Sequence, residues 1–409
     1  MKMLDTRFDI DKKLSLARLM HLLTVPGITG QEKAIGAAVL EELHSLGVPR
    51  KAMRFDDANQ HTPLPTETGN LIVHLPGTTR GGRLMFSTHL DTVPLCAGAK
   101  PVRRGSRIEA SGQTALGGDN RTGVACLVTL VHTLLANDLP HPPLTLLFTV
   151  REESGLWGAR YVDVSLLGRP AYCFNVDGRS PSEVTIGAVG AERWQAEIRG
   201  KAAHAGAHPE KGISASLVAS LALADVYRQG WFGQVHRNGF AGTSNVGSIG
   251  DERGRSAGSA TNVVTDCAIV KGEARSHHPR MVRAIVSAYR QAFQKAARGV
   301  HNAAGKHAVL KFSTRLDYSP FKLKPQSPAV QHAIRAVRSV GLVPKPRNTN
   351  GGLDANWLVR HGIPTVTIGA GQNNGHSIGE YVELADYYDA CRVVVAMATQ
   401  GMGDAARES

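Results

Sequence analysis

The sequence predicts an α/β fold: a mixed, largely parallel sheet covered by helices, with an α+β domain of ferredoxin-like order inserted into it. Three observations carry this expectation. Apolar strands alternate with helical stretches up to about residue 187. From 188 to 318 the strands alternate in polarity, as strands with one exposed face do. From 319 to 409 the first pattern resumes. The larger domain is therefore expected in two parts, 1–187 and 319–409, around a smaller one at 188–318.

In the first part, "TGQEKAIGAAVLEELHSLG" reads as a helix. Thr29 and Glu32 fit a capping box, Ile35, Val39, Leu43 and Leu46 share a face, and Gly47 ends it. Strands follow at 70–77 and 82–90, then a helix through Val124 to Leu135, a strand at 144–150, a helix near 155–167 and a strand at 171–178. In the inserted part, "AVGAERWQAEIRG" puts Trp194, Ala196 and Ile198 on one side. A helix (213–228), the strands "TSNVGSIGD" and "TNVVTDCAIVKGEARS", a helix from Pro279 to about Ala297 and a strand at 307–316 follow, the split order strand-helix-strand-strand-helix-strand. The last part reads as helices at 327–340 and 353–361, a strand at 364–371 and a helix from about 385.

The 409 residues suffice for one large or two ordinary domains, and 42% hydrophobic with 20% charged residues is an ordinary globular composition. No apolar run reaches the ~20 residues of a membrane helix, and the opening stretch lacks the apolar core of a secretory signal. The expectation is a cytoplasmic protein with no membrane partner. Five scattered cysteines without a CxxC pair read as buried thiols. A net charge of +13 raises the question of nucleic acid, but the densest basic stretches, 101–107 and 280–298, interleave no aromatics. No nucleic acid is expected, and the basic surface is read as one that draws in anionic substrates.

Polar residues collect where apolar strands end: His89 and Asp91 in "STHLDTVP", Asp119 in "LGGDNRTG", Glu152 and Glu153 in "VREESG", Asp177 in "NVDG" and His376 in "NNGHSIGEYV". Each alone reads as a turn or surface residue. Together, five segments deliver His or carboxylate to one rim, where open α/β sheets build their sites. Imidazole and carboxylate donors suit zinc, with manganese or cobalt as alternatives. A pair of cations would account for the two glutamates, one as ligand and the other as proton acceptor, with Asp119 as the natural bridge.

These motifs together resemble the dinuclear-zinc family of peptidase T, the glutamate carboxypeptidases, aminoacylase and succinyl-diaminopimelate desuccinylase, in the family's order over about residues 20–400. The resemblance implies a zinc-exopeptidase-like catalytic domain. It implies one metal on His89, Asp119 and Asp177 and the other on Asp119, Glu153 and His376. Glu152 would be the general base, and Asp91 would complete the catalytic set by orienting His89. It makes 188–318 a lid through which a homodimer can form. Within it, His204 in "GKAAHAGAHPEKGISA" matches a histidine that holds the developing oxyanion. Arg275 in "GEARSH" matches a residue that binds a substrate carboxylate, and Asn262 in "TNVV" a polar residue of the cleft. Read by themselves, His204 is a turn residue and Arg275 a solvated strand end.

Asp177 and "GGLDANWL" (351–358) place the resemblance on the peptidase T-like side, although Leu353 stands where that pattern has threonine and Asn350 where many relatives have arginine. The leading expectation is an aminopeptidase acting on short peptides. An N-acyl amino acid deacylase or carboxypeptidase with the same centre, and a peptide-binding protein without catalysis, are the alternatives.

Overall fold

The computed structural model describes residues 9–251, 257–258 and 260–400. The opening stretch, read from the sequence as lacking a secretory signal, therefore begins outside the described residues. The chain runs α1 (Lys12–Leu22), α2 (Lys33–Ser45), β1 (Met53–Phe55), α3 (Ala58–His61), β2 (Leu71–Leu75), β3 (Leu84–His89), β4 (Pro101–Arg104), β5 (Arg107–Ala110), α4 (Gly118–Ala136), β6 (Leu144–Thr149), α5 (Trp157–Tyr161), β7 (Tyr172–Val176) and β8 (Glu183–Ala188). It continues β9 (Gly190–Arg199), α6 (Ala215–Arg228), β10 (Gly233–Arg237), β11 (Phe240–Gly250), β12 (Cys267–Ser276), α7 (Pro279–Gly299) and β13 (Val309–Tyr318). It closes β14 (Phe321–Lys322), α8 (Pro328–Ser339), β15 (Lys345–Thr349), α9 (Asp354–Arg360), β16 (Thr365–Ile368), β17 (Gln372–Asn373), β18 (Tyr381–Glu383) and α10 (Leu384–Thr399). Two compact units result: Met1–Gly187 with Lys322–Thr349 and Leu353–Ser409, and Ala188–Phe321 with Asn350–Gly352.

The first unit is built on a nine-stranded sheet in the order β1-β2-β6-β3-β7-β16-β8-β14, with β15 on β8. Its centre, β6-β3-β7-β16, is parallel. The pairs β1-β2, β2-β6 and β16-β8 are antiparallel, so the sheet is mixed. The two-residue period of each strand sorts its side chains between two cores. Leu84 and Phe86, Leu144 and Leu146, and Tyr172 and Phe174 face the larger core, where α1, α2, α4, α8 and α10 contribute. Met85, Leu147 and Cys173 face the opposite side, against Val162, Leu167, Leu358 and Ile363. Both faces are covered, which is why these strands read as unbroken apolar runs.

In the second unit an antiparallel sheet has the order β10-β11-β12-β9-β13. Trp194, Ala196 and Ile198 of β9 and Ala268, Val270 and Ala274 of β12 pack with α6 and α7. In α7, Met281, Val282, Ile285, Val286, Tyr289, Ala292 and Phe293 are buried at three- and four-residue spacing. Gly272 is required by a close approach: a Cβ there would lie 2.3 Å from Cζ2 of Trp194. The other face carries ion pairs, Arg193–Asp317 at 2.5 Å and Arg199–Glu197 at 2.9 Å.

Several expectations need correction. The capping box does not form: Glu32 itself is the N-cap of α2 without a side-chain cap bond, and the Thr29 hydroxyl donates to Ser154 at 2.9 Å. The helix expected near 155–167 is only α5 and a short 3₁₀ turn at Val164–Leu167. The strand expected from residue 261 begins at Cys267. The inserted part holds an additional edge strand, β10, so the order is strand-helix-three strands-helix-strand. The basic stretch 101–107 contributes to the hairpin β4–β5 of a separate four-stranded sheet, with Gly105 at φ 62° in its turn. No helix among the described residues is long and apolar enough to cross a membrane.

Candidate metal centre

Strands β3, β6, β7 and β16 run in one direction, so their carboxyl ends lie along one edge of the sheet. His89 ends β3, the turn with Glu152 and Glu153 follows β6, and Asp177 follows β7. Asp119 stands in the first turn of α4, and His376 follows β17. Among the described residues, two groups can each bring ligand atoms within 4.8 Å of one another: His89, Asp119 and Asp177, and Asp119, Glu153 and His376. The groups share Asp119.

The Asp119 carboxylate reaches both sides. Its Oδ1 lies 3.1 Å from Nε2 of His89, and its Oδ2 lies 3.5 Å from Nε2 of His376. Oδ1 of Asp177 is 3.9 Å from Nε2 of His89, and Glu153 is 2.8 Å from Nε2 of His376. Behind His89, Nδ1 faces the Asp91 carbonyl at 3.0 Å and its carboxylate at 3.4 Å. That contact places a hydrogen on Nδ1 and turns Nε2 toward the carboxylates. Asp91 also binds the glutamate turn: its Oδ1 accepts from the Glu152 N–H at 3.0 Å and its Oδ2 from the Glu153 N–H at 3.1 Å. One buried carboxylate thus aligns the histidine and both glutamates.

The acids are crowded. Burial pushes Glu152 well above the carboxylate range; His89 pulls it back, while Asp177, Glu153 and Asp354 push it further up. Burial also raises Glu153 to about 7, against its bond from His376, and Asp177 to about 6. Asp119 goes the other way: bonds from His376 and His89 overcome the effect of burial and hold it below its usual range. His376 is raised to about 10 by its bonds to Asp119 and Glu153. A buried group of carboxylates compensated by only two imidazoles is suited to divalent cations, which would remove the repulsion that drives these shifts. The donor set, nitrogen and oxygen without sulfur, fits zinc, cobalt or manganese.

Sequence reasoning missed the residues that hold the ligands. The Glu380 carboxylate accepts from the N–H groups of Gly117 at 2.8 Å and Asp119 at 2.9 Å, fixing the loop that presents Asp119. Gln372 donates to Oδ1 of Asp177 at 3.1 Å, and its own carbonyl accepts from Thr122 at 3.1 Å, which orients the amide. Asp354, 1% exposed, is bonded by the Thr149 hydroxyl at the end of β6 and is pushed to about 7, chiefly by burial. Glu380 stands in "GHSIGE" and Asp354 in "GGLDANWL", both noted in the sequence, but no local signal says that these acids turn inward.

The remaining expected site residues belong to the second unit. His204 is exposed and forms a bridge with Val263. Its Nδ1 accepts from the N–H groups of Gly206 at 3.2 Å and Ala207 at 3.1 Å, so a neutral ring carries its hydrogen on Nε2. Asn262 is exposed, and its carbonyl accepts from the Ala205 N–H at 2.9 Å. Arg275, half-buried on β12, is paired with Glu273 through Nε at 2.8 Å and Nη2 at 3.1 Å.

Residues 85–400 match the family described as Peptidase family M20/M25/M40. The Bacillus subtilis (strain 168) protein described as "Uncharacterized protein YqjE" is 30% identical over 389 residues, covering 95% of this chain and 98% of its own length. Peptidase T of Bacillus pumilus is 24% identical over 71% of this chain and 67% of its own. Among solved structures, a tripeptidase from Staphylococcus aureus matches with a TM-score of 0.85 at 26% identity, covering 95% of this chain and 98% of that one. Aminopeptidase PepT from Bacillus cereus matches with a TM-score of 0.81 at 30% identity and the same coverage.

Proposed function

This chain belongs to peptidase family M20/M25/M40, and from that premise we propose that it is a metal-dependent aminopeptidase of the peptidase T type, hydrolysing short peptides. The observation that carries the proposal is the pair of donor triads joined by Asp119, with Glu152 anchored beside them through Asp91. The named relatives of high coverage, a tripeptidase and an aminopeptidase, support the choice of substrate.

In this reading His89, Asp119 and Asp177 hold one divalent cation, and Asp119, Glu153 and His376 the other. Bound there, two cations (zinc, with cobalt or manganese as alternatives) would acidify a water and polarise the scissile carbonyl. Glu152 accepts a proton from the attacking water and delivers it to the leaving amine. Its neighbours suit that task, because they raise the affinity of its carboxylate for the proton it takes. Asp91 orients His89 from behind and holds Glu152 by its backbone. His204 serves as an Nε2–H donor to the developing oxyanion, with Arg275 and Asn262 as substrate-binding groups. These three assignments rest on the sequence resemblance, as does a homodimer through residues 188–318, which light scattering tests.

The deciding experiment is a panel of free tripeptides, N-blocked peptides and N-acyl amino acids, assayed with zinc, manganese and cobalt. Preferential cleavage of free tripeptides is expected. Preference for N-acyl amino acids or C-terminal residues would move the protein to the deacylase or carboxypeptidase reading. No turnover of any substrate with any metal would leave a peptide-binding protein.

A further inference from the structure

We propose that Glu32 is a positioning residue for the turn that presents Glu152, an inference that rests on the hydrolase reading for its effect on rate. Glu32 lies outside the family match at 85–400, and its sequence context suggested only a helix cap. The structure gives it other partners. It is fully buried, and its Oε1 accepts from the N–H groups of Gly30 at 2.6 Å and Arg151 at 3.1 Å.

The Arg151 bond matters because Glu152 and Glu153 come directly after it in the chain. Three successive N–H groups are held by two carboxylates: Arg151 by Glu32, then Glu152 and Glu153 by Asp91. Arg151 itself has φ 53°, in the left-handed region that a side-chain-bearing residue rarely adopts. A backbone in that state persists only when its surroundings hold it. Glu32 supplies the acceptor at that residue. The Arg151 side chain is tied on the same side: Nε donates to Thr66 at 2.6 Å, Nη1 to Ser154 at 3.1 Å, and Nη2 to the Pro65 carbonyl. Ser154 in turn accepts from Thr29. Gly30, at φ 90°, leaves the space that the guanidinium occupies, since a Cβ there would lie 2.2 Å from Nη2. Residues 29–32 therefore form a cradle for the segment between β6 and the two glutamates.

A fully buried carboxylate is costly where it serves no partner. Oε2 of Glu32 has no hydrogen-bond partner. A cap or a packing role would be met by a smaller or apolar residue. What requires the carboxyl group is the pair of buried N–H groups, one of which belongs to the residue that turns the chain toward Glu152. Without it, Asp91 still anchors both glutamates, so metal binding is retained. The direction of Glu152 becomes less well defined, and proton transfer suffers before substrate binding does.

The test compares the full-length wild type with Glu32→Ala and Glu32→Gln. Glu32→Ala should keep two metal equivalents and a KM within about twofold, while kcat falls about 10–100-fold, the scale of a misplacement near 1 Å. Glu32→Gln keeps an acceptor oxygen and should recover most of the rate. Hydrogen exchange in the metal-free proteins gives a readout independent of activity: the amides of Arg151, Glu152 and Glu153 should exchange faster in Glu32→Ala, while those of β6 stay protected. Should Glu32→Ala not fold, Glu32→Asp, one methylene short of the Arg151 amide, is read the same way. Unchanged exchange at 151–153, or kcat per metal-loaded site equal to wild type, overturns the proposal. A wild type that hydrolyses nothing would sink the hydrolase reading, and the exchange comparison would still decide the role of Glu32.

Discussion

Glu152 and Glu153 are neighbours whose N–H groups bond the same carboxylate, yet their side chains have different surroundings. Glu153 meets His376 at 2.8 Å, whereas Glu152 stands outside both donor triads. Glu152→Gln should therefore keep two metals and bind substrate while kcat falls about 10²–10⁴-fold, the range of general acid–base catalysis. Glu153→Gln should instead lose one metal equivalent. Metal analysis and kcat on both variants check the assignment, and the opposite pattern would reverse it. Asp119 has no such division of labour, since its two oxygens face different histidines. Asp119→Ala should bind clearly fewer than two equivalents and be nearly inactive; two tightly held ions in that variant would remove the bridge.

At the level of elements, α8 places a titratable group inside the core. His332 is fully buried, with Nδ1 2.7 Å from the Tyr172 hydroxyl of β7 and its ring edge-on to Phe174. Burial, helped by Arg335, lowers it to about 4. Between that value and the unfolded value near 6.5, the unfolded chain binds a proton that the folded chain refuses. Stability is then intact above about pH 6.5 and falls as the pH drops toward 4, by roughly 3 kcal/mol from this group. Denaturant titrations across that window should show the slope, and His332→Phe should flatten it; an unchanged slope would assign the acid sensitivity elsewhere. The long elements were legible because period and burial coincide: strands β2, β3, β6 and β7 and helices α6, α7, α8 and α10 lie close to their expected ranges. The short strands β1, β14, β15, β17 and β18 were not, because pairing with distant segments rather than local pattern makes them strands. The same distinction applies to the site. His89, Asp119, Glu153, Asp177 and His376 could be read as a set from strand ends and resemblance. Glu380, Gln372 and Glu32 act through backbone or amide partners that nothing in their neighbourhood announces.

Over the whole molecule, the candidate ligands are drawn from positions as far apart as 89 and 376, so a bound cation ties together distant parts of the first unit. Chelation followed by dialysis should abolish hydrolysis and lower the melting temperature, and zinc, cobalt or manganese should restore both. A ligand at one hundred times its Kd stabilises the state that binds it by about 2.7 kcal/mol per site. Full activity in metal-free protein would sink the mechanism, and an unchanged melting temperature would mean that the cations bind outside the folded network.

The placement of β16 between β7 and β8 has a consequence for biosynthesis. Its two neighbours emerge from the ribosome before the whole second unit, and β16 itself only afterwards. Throughout that interval the growing chain presents β7, with Tyr172, Phe174 and Val176, along an unpaired edge that any other extended segment can join. A chain stopped before residue 365 should accumulate in the pellet during expression while the full chain does not. The protein's dependence on holding factors should be greatest during translation of the inserted part, and a stall there is more dangerous than one after the central strand has been made.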